Sequence, residues 1–264
     1  MRVPTSLPDS QRLKVEGRNP ALPAGLRIYA VGDIHGHLDL LNKLLARIDG
    51  DIASRPVIRP VFVFLGDYVD RGPASRETID RLVERAETSE CVFLKGNHEQ
   101  IAISCLRDRA LFDHWMRLGG VETLLSYGVS PKGFSDEGQV VRLQAAFHDA
   151  LPPAHFRFFR DLQSSFACGD FFFAHAGVKP NIQLSDQKES DLLWIRQEFL
   201  SSREDFGKIV VHGHTPTREV EVAPNRINID TGAFATGRLT SLVIDERSLS
   251  VIDTLEDTDG KDAP

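Results

Sequence analysis

Asp33, His35, Asp67, Asn97 and His98 are the residues whose types and spacing could do chemistry. They lie in three glycine-punctuated turns: Gly32-Asp33-Ile34-His35-Gly36, Gly66-Asp67-Tyr68-Val69-Asp70-Arg71-Gly72 and Gly96-Asn97-His98-Glu99. Two later turns, His175-Ala176-Gly177 and His212-Gly213-His214-Thr215-Pro216, add further imidazoles. Carboxylate, imidazole and amide oxygen, with no thiolate, form a donor set suited to a divalent metal of the manganese, iron or zinc kind. One such turn alone is weak, because a lone acidic or histidine residue after a strand is often a helix cap. Five, each closing a strand-like run, are hard to explain as capping.

The elements that must position these residues follow from the apolar pattern. Arg27–Val31, Val61–Leu65 and Cys91–Leu94 read as buried strands, each running directly into one of the first three turns. Asp33, Asp67 and Asn97 are separated by 34 and 30 residues, and a strand–helix–strand unit takes roughly 30. The spacing therefore puts the three turns side by side at the carboxyl ends of parallel strands, where open α/β sheets hold their ligands. Leu38, Leu41, Leu44, Leu45 and Ile48 make a helical stripe, with Gly50 placed to end that helix. Pro73 opens the next helix, with Ile79, Leu82 and Val83 on its buried side, and Glu99–Leu106 continues as a helix from the third turn.

Between about Leu111 and Leu162 the alternation stops. Leu111–Leu118, Val121–Tyr127, Glu137–Ala150 and Pro153–Leu162 all read as helical, forming an insert (about 111–162) over the sheet. Strands resume with Phe166–Cys168 and Phe171–Ala174, which flank Gly169-Asp170, a hairpin signal. A short helix over Leu192–Leu200 follows, then strands at Lys208–Val211, Glu219–Val222, Arg226–Ile229, Leu239–Ile244 and Leu249–Ile252. Residues 1–25 carry four prolines without periodicity and read as an irregular arm. Residues 26–255 read as one domain, a length that supports a substantial core, and 256–264 as a frayed tail.

The net charge of −7 argues against a nucleic-acid partner held by its phosphates, though not against a small phosphorylated group. Three cysteines without a CxxC pair fit a reduced, cytoplasmic protein. No apolar stretch approaches the ~20 residues of a spanning helix, so no membrane partner is expected.

The motifs GDIHG, GDYVDRG, GNHE, HAG and GHTP, spread from about Arg27 to Ile252, resemble those of the phosphoprotein phosphatase branch of the calcineurin-like metallophosphoesterases, bacterial members in particular. The resemblance implies an α/β fold, a four-layer α-β-β-α sandwich, with two divalent metal ions: manganese first, iron or zinc as alternatives. It implies that Asp33 and His35 hold one metal, that Asp67 bridges both, and that Asn97, His175 and His214 complete the second. Two dications about 3.5 Å apart repel, and a shared carboxylate and a shared hydroxide offset that repulsion. The hydroxide would be the nucleophile. His98, paired with Asp70, would protonate the leaving alkoxide.

By the same resemblance Arg71 and Arg196 grip phosphate, along with Asn97. Lys95 stands where many relatives carry arginine, and it can supply charge without the bidentate fork. On an extended strand His212 and His214 would share a face; the motif match selects His214. His37, His114, His148 and His155 fit no motif and read as surface or helix residues. Asp70-Arg71 with Glu99 points to a serine/threonine protein phosphatase acting on a phosphoprotein or phosphopeptide. The alternatives are a dinucleoside-polyphosphate (diadenosine tetraphosphate) hydrolase of the same superfamily, and a non-catalytic phosphate-binding scaffold.

Overall fold

The computed structural model describes residues 12–131 and 138–255. The strands in chain order are β1 (Arg12–Leu13), β2 (Leu26–Val31), β3 (Arg59–Phe64), β4 (Glu90–Phe93), β5 (Ser165–Cys168), β6 (Phe171–Ala174), β7 (Ile209–His212), β8 (Glu221–Ala223), β9 (Arg226–Asn228), β10 (Thr240–Asp245) and β11 (Ser248–Asp253). The α-helices are α1 (Leu38–Ser54), α2 (Ser75–Thr88), α3 (Asn97–Cys105), α4 (Arg109–Trp115), α5 (Val121–Ser126), α6 (Gln139–Ala150), α7 (Pro153–Arg160), α8 (Glu189–Trp194), α9 (Gln197–Leu200) and α10 (Ala233–Thr236).

Two mixed sheets result, ordered β1-β11-β10-β2-β3-β4 and β5-β6-β7-β9-β8. Within them β2-β3-β4 and β6-β7-β9 run parallel, so the motif turns after β2, β3 and β4 fall side by side as their spacing predicts. The period-2 alternation of strand side chains builds the layers. Ile28, Ala30, Val61 and Val63 face Phe171, Phe173, Ile209 and Val211 in a core between the sheets. Tyr29, Val31, Phe62 and Phe64 point the other way, under α1, α2 and the helical insert. On the far side Phe172, Ala174 and Val210 pack under Leu192 and Phe199. Helix, sheet, sheet and helix thus stack in the α/β order expected.

Several boundaries differ from the sequence reading. The first helix does not stop at Gly50 but runs on to Ser54. Asp51 explains the extension, because its carboxylate accepts from Tyr29 Oη at 2.7 Å and from Arg55 Nε at 2.9 Å, tying that last turn to the sheet. The second helix starts at Ser75, two residues after Pro73. The helix expected over Leu192–Leu200 is broken: Ile195 is extended (ψ 142°) and Arg196 lies outside the helical region, separating α8 from α9. The arm is not wholly irregular either, since β1 pairs antiparallel with β11 through Arg12 and Leu13. The expectations for residues 1–11, for Glu137 and for 256–264 lie outside the described residues. No helix among the described residues is long and apolar enough to cross a membrane.

Candidate active site

The turns are tied to one another by backbone bonds before any side chain matters. The amides of Ile34 and His35 both donate to the Asp67 carbonyl, at 3.0 and 2.8 Å, and Gly36 donates to Tyr68. Glu99, fully buried, clamps the second turn to the third: its carboxylate accepts from the amides of Asp67, Tyr68, Val69 and Gly96 at 2.7 to 3.2 Å. Burial and the Asp67 charge push Glu99 up to about 8, against the pull of those amides. Five of the seven non-glycine residues with left-handed backbone among the described residues sit here: His35, Asp67, Asp70, Arg71 and His214. Such conformations cost of order 1–3 kcal/mol each and gather where a site fixes its groups.

The side chains of four of the predicted donors meet at one point. Asn97 Oδ1 lies 2.9 Å from His175 Nε2 and 2.8 Å from His214 Nδ1, and the two imidazole nitrogens are 3.1 Å apart. Asp67 Oδ1 stands 3.4 Å from His175 Nε2, while Asp67 Oδ2 stands 3.5 Å from His35 Nε2. One carboxylate therefore turns one oxygen to each side. Donors bound to a single ion at about 2.0–2.2 Å would be separated by roughly 2.8–3.6 Å, and the spacings seen run from 2.8 to 3.5 Å. His175 and His35 each spend Nδ1 on a backbone carbonyl, of Leu65 at 2.9 Å and Val69 at 3.0 Å, which leaves the Nε2 lone pair facing inward. Lone pairs so close repel unless a cation or a proton sits among them, so this donor set fits a divalent ion on each side of Asp67.

Burial keeps the imidazoles neutral, the form that binds metal. It drives His35 down to about 3 and His214 to about 2, and it lowers His175 as well. For Asp67, burial opposes ionisation, but any proton held by His175, His98, His35 or His214 favours its charged form, and together these outweigh burial and hold its pKa low. Asp33 is buried with both carboxylate oxygens against the His214 amide, at 3.1 and 3.3 Å. A side chain at Gly213 would collide with Asp33 Oδ1, so only glycine lets these two turns close. Burial, then the charges of Asp230 and Asp67, raise the Asp33 pKa.

His98 borders this cluster: a ring nitrogen of His98 and the donor atoms of His35 and Asp67 lie within 4.8 Å of one another. Its Nδ1 is 2.7 Å from Asp70 Oδ2, and its Nε2 lies 3.9 Å from Asp67 Oδ2 and 3.2 Å from Arg71 Nη2. Burial works against its protonation, yet the charges of Asp67 and Asp70 prevail and raise its pKa. Asp70 is held from the helical insert, which sequence reasoning left without a role. Trp115 Nε1 donates to both Asp70 oxygens at 3.0 Å, and Thr123 Oγ1 donates to Oδ1 at 2.6 Å. Gly119, left-handed at φ 112°, accepts from the Arg71 amide at 3.1 Å; a Cβ there would sit 2.6 Å from that nitrogen.

Of the predicted phosphate-binding cations, Arg71 lies across the Phe234 ring at 4.3 Å, beside His98. Arg196 is exposed, its closest polar neighbour being Thr215 Oγ1 at 3.5 Å. Lys95 is paired with Glu189, both oxygens at 3.1 Å, and Ser164 also donates to that carboxylate. The His212/His214 choice resolves by geometry. The strand ends at His212, and the left-handed His214 turns into the cluster while His212 packs edge-on against Phe199 on the other face. His155 is buried in α7, bridging Tyr127 Oη and Asp80. Asp230, raised to about 6 chiefly by burial, Trp115, Thr123 and Phe234 were missed. Only Glu99 carried a local signal, three residues after Gly96 in a capping position.

A carboxylate shared between two donor groups, set at the strand ends of a two-sheet α/β frame, marks the class: a metal-dependent hydrolase. The chain belongs to the calcineurin-like phosphoesterase family, whose model matches residues 26–235. A bis(5'-nucleosyl)-tetraphosphatase PrpE (asymmetrical) from Anoxybacillus flavithermus is 28% identical over 231 residues, covering 80% of this chain and 88% of that protein. Its counterpart from a Geobacillus strain is 26% identical, covering 82% and 89%. Among solved structures, a cold-active protein tyrosine phosphatase superposes with a TM-score of 0.59 at 16% identity, over 95% of this chain and 90% of that one, a likeness of fold alone. The relatives correct one expectation: a phosphoprotein partner, read from Asp70-Arg71 and Glu99, gives way because these two relatives, which match over four-fifths of the chain, are named for a dinucleotide substrate. Those motif residues hold the site together, Glu99 through backbone amides and Asp70 through His98, so they report the shared scaffold rather than what the scaffold binds.

Proposed function

We propose that this chain hydrolyses dinucleoside tetraphosphates, with Asp33, His35, Asp67, Asn97, His175 and His214 holding two divalent ions of the manganese, iron or zinc kind. The observation that carries the reading is the 28% identity over 231 residues to a bis(5'-nucleosyl)-tetraphosphatase, joined to a site whose donors suit two cations on either side of Asp67. When bound, such a pair supplies Lewis acidity to a phosphoryl oxygen and lowers the pKa of a water to near neutrality. The residues of the chain do the rest. Arg71 offers its guanidinium to non-bridging phosphate oxygens, neutralising charge as the phosphorus is attacked. His98, loaded because Asp67 and Asp70 favour its protonated form, would give its proton to the leaving oxygen. Asp70 fixes the imidazole by its Nδ1 proton.

Asymmetric cleavage adds water at an end phosphorus and breaks one phosphoanhydride P–O bond, giving a nucleoside triphosphate and a monophosphate. A nucleotide phosphate leaves more readily than a serine alkoxide, so this substrate asks less of the general acid than a phosphoprotein would. Parallel assays with diadenosine tetraphosphate and a phosphothreonine peptide, each with manganese supplied, test the reading. The expected result is a kcat/KM at least about tenfold higher on the dinucleotide, a preference worth about 1.4 kcal/mol at the transition state. A preference for the peptide would overturn it.

A further inference from the structure

The chain has two tryptophans, and they are used in opposite ways. Trp115 is fully buried and donates to Asp70. Trp194, the last residue of α8, leaves 40% of its surface exposed. Its ring is nonetheless fixed: Nε1 donates to Gln100 Oε1 at 2.6 Å, and the ring stands edge-to-face with His214 at 6.3 Å. A large aromatic held in one orientation, at the rim of the donor cluster and open to water, forgoes the burial that would repay it.

The helix break after Trp194 places Arg196 beside it. The Arg196 guanidinium is exposed and reaches Thr215 Oγ1, on the residue after His214, at 3.5 Å, so it stands at the same rim as Trp194. The opposite rim also carries an aromatic, Phe234, 5.5 Å from His35, but Arg71 already lies over that ring. Among the described residues no such cation lies over Trp194. An aromatic surface next to a phosphate-facing arginine, one step from the reacting centre, is complementary to a nucleotide: base on the ring, phosphate on the cation.

We infer that Trp194 is a stacking platform for a nucleobase of the substrate, with Arg196 taking the adjoining phosphate. This rests on the dinucleotide reading and adds to it the residue that distinguishes a nucleoside-capped polyphosphate from a bare one. Base–aromatic stacking tolerates any base, since every base has a π-face, so the platform selects for the presence of a base rather than its identity.

The test compares diadenosine tetraphosphate with inorganic tetraphosphate on the same protein preparations, loaded with manganese. Trp194→Ala should lower the ratio of kcat/KM for the dinucleotide to that for inorganic tetraphosphate by about 10-fold, through KM rather than kcat, and Trp194→Phe should restore most of it. In the unsubstituted protein, diadenosine tetraphosphate should quench tryptophan emission and inorganic tetraphosphate should not. A ratio that stays fixed while both activities fall together would assign Trp194 a purely structural role and overturn the inference, as would quenching equal for the two ligands. A wild-type protein that ignores the dinucleotide and turns over phosphopeptide would instead overturn the reading beneath it, a result visible without any variant.

Discussion

The donor cluster around Asp67 and the His98–Asp70 pair share a wall, yet different forces hold them. The cluster is fixed by main chain. Its turns carry left-handed residues, are laced by amide-to-carbonyl bonds, and are clamped by the Glu99 carboxylate on four amides. The His98–Asp70 pair is fixed by side chains from elsewhere, Trp115 and Thr123 of the insert, which supply the hydrogen-bond donors that a fully buried carboxyl group needs. Strand ends therefore give the geometry that cations demand, while the insert gives the polar surroundings that a proton donor demands.

Substitutions on the two sides should fail differently. Asp67→Asn strikes the cluster hardest, removing the charge between the two donor groups. Turnover should drop by about 10²–10³-fold, with loss of both metals by elemental analysis, because oriented charge at the reacting centre is commonly worth 10²–10³ for a single group. Full metal content in that variant would break the assignment of Asp67 as the shared ligand.

Asp70→Asn should leave metal content alone and act through the proton. His98 owes part of its raised pKa to the Asp70 charge and hydrogen bond, so the substitution lowers it. Less imidazolium is then present at neutral pH, and the alkaline limb of the kcat/KM profile should move to lower pH. The loss should approach about 10²-fold on phenyl phosphate, whose leaving group needs a proton, and be far smaller on p-nitrophenyl phosphate. An unmoved limb, or equal losses on both esters, would show that the two regions do not divide the work.

Thr123→Val is the mildest of the three. It deletes one hydrogen bond to a buried carboxylate and should cost about 1.5–3 kcal/mol of stability, read as a lower midpoint in urea, with metal content unchanged. A variant as stable as the parent would mean that Trp115 alone satisfies Asp70.

Much of the donor cluster was legible because its residues sit in short, glycine-marked turns directly after strands, where local sequence dictates both conformation and position. Asp67, Asn97, His175, His214 and His35 come together as their motifs imply. The helix that runs past Gly50 was not legible, because the bonds of Asp51 to Tyr29 and Arg55 depend on which face of the sheet the helix covers. The break at Ile195-Arg196 was hidden for a similar reason: Leu192, Ile195 and Phe199 keep an apolar spacing that a continuous helix would also produce. The choice of substrate was misread because the motif residues that suggested a phosphoprotein serve the scaffold common to both activities.

By itself, the sequence determined most of the strands and helices and the turns that bear the candidate donors, since these follow from local pattern and residue type. The tertiary structure alone decided that Trp115 and Thr123 steady Asp70, that His214 and not His212 turns inward, and that Trp194 is left open beside the cluster. Those outcomes depend on contacts between residues distant in the chain, 45 positions in the case of Asp70 and Trp115, and no local pattern encodes which distant side chain arrives.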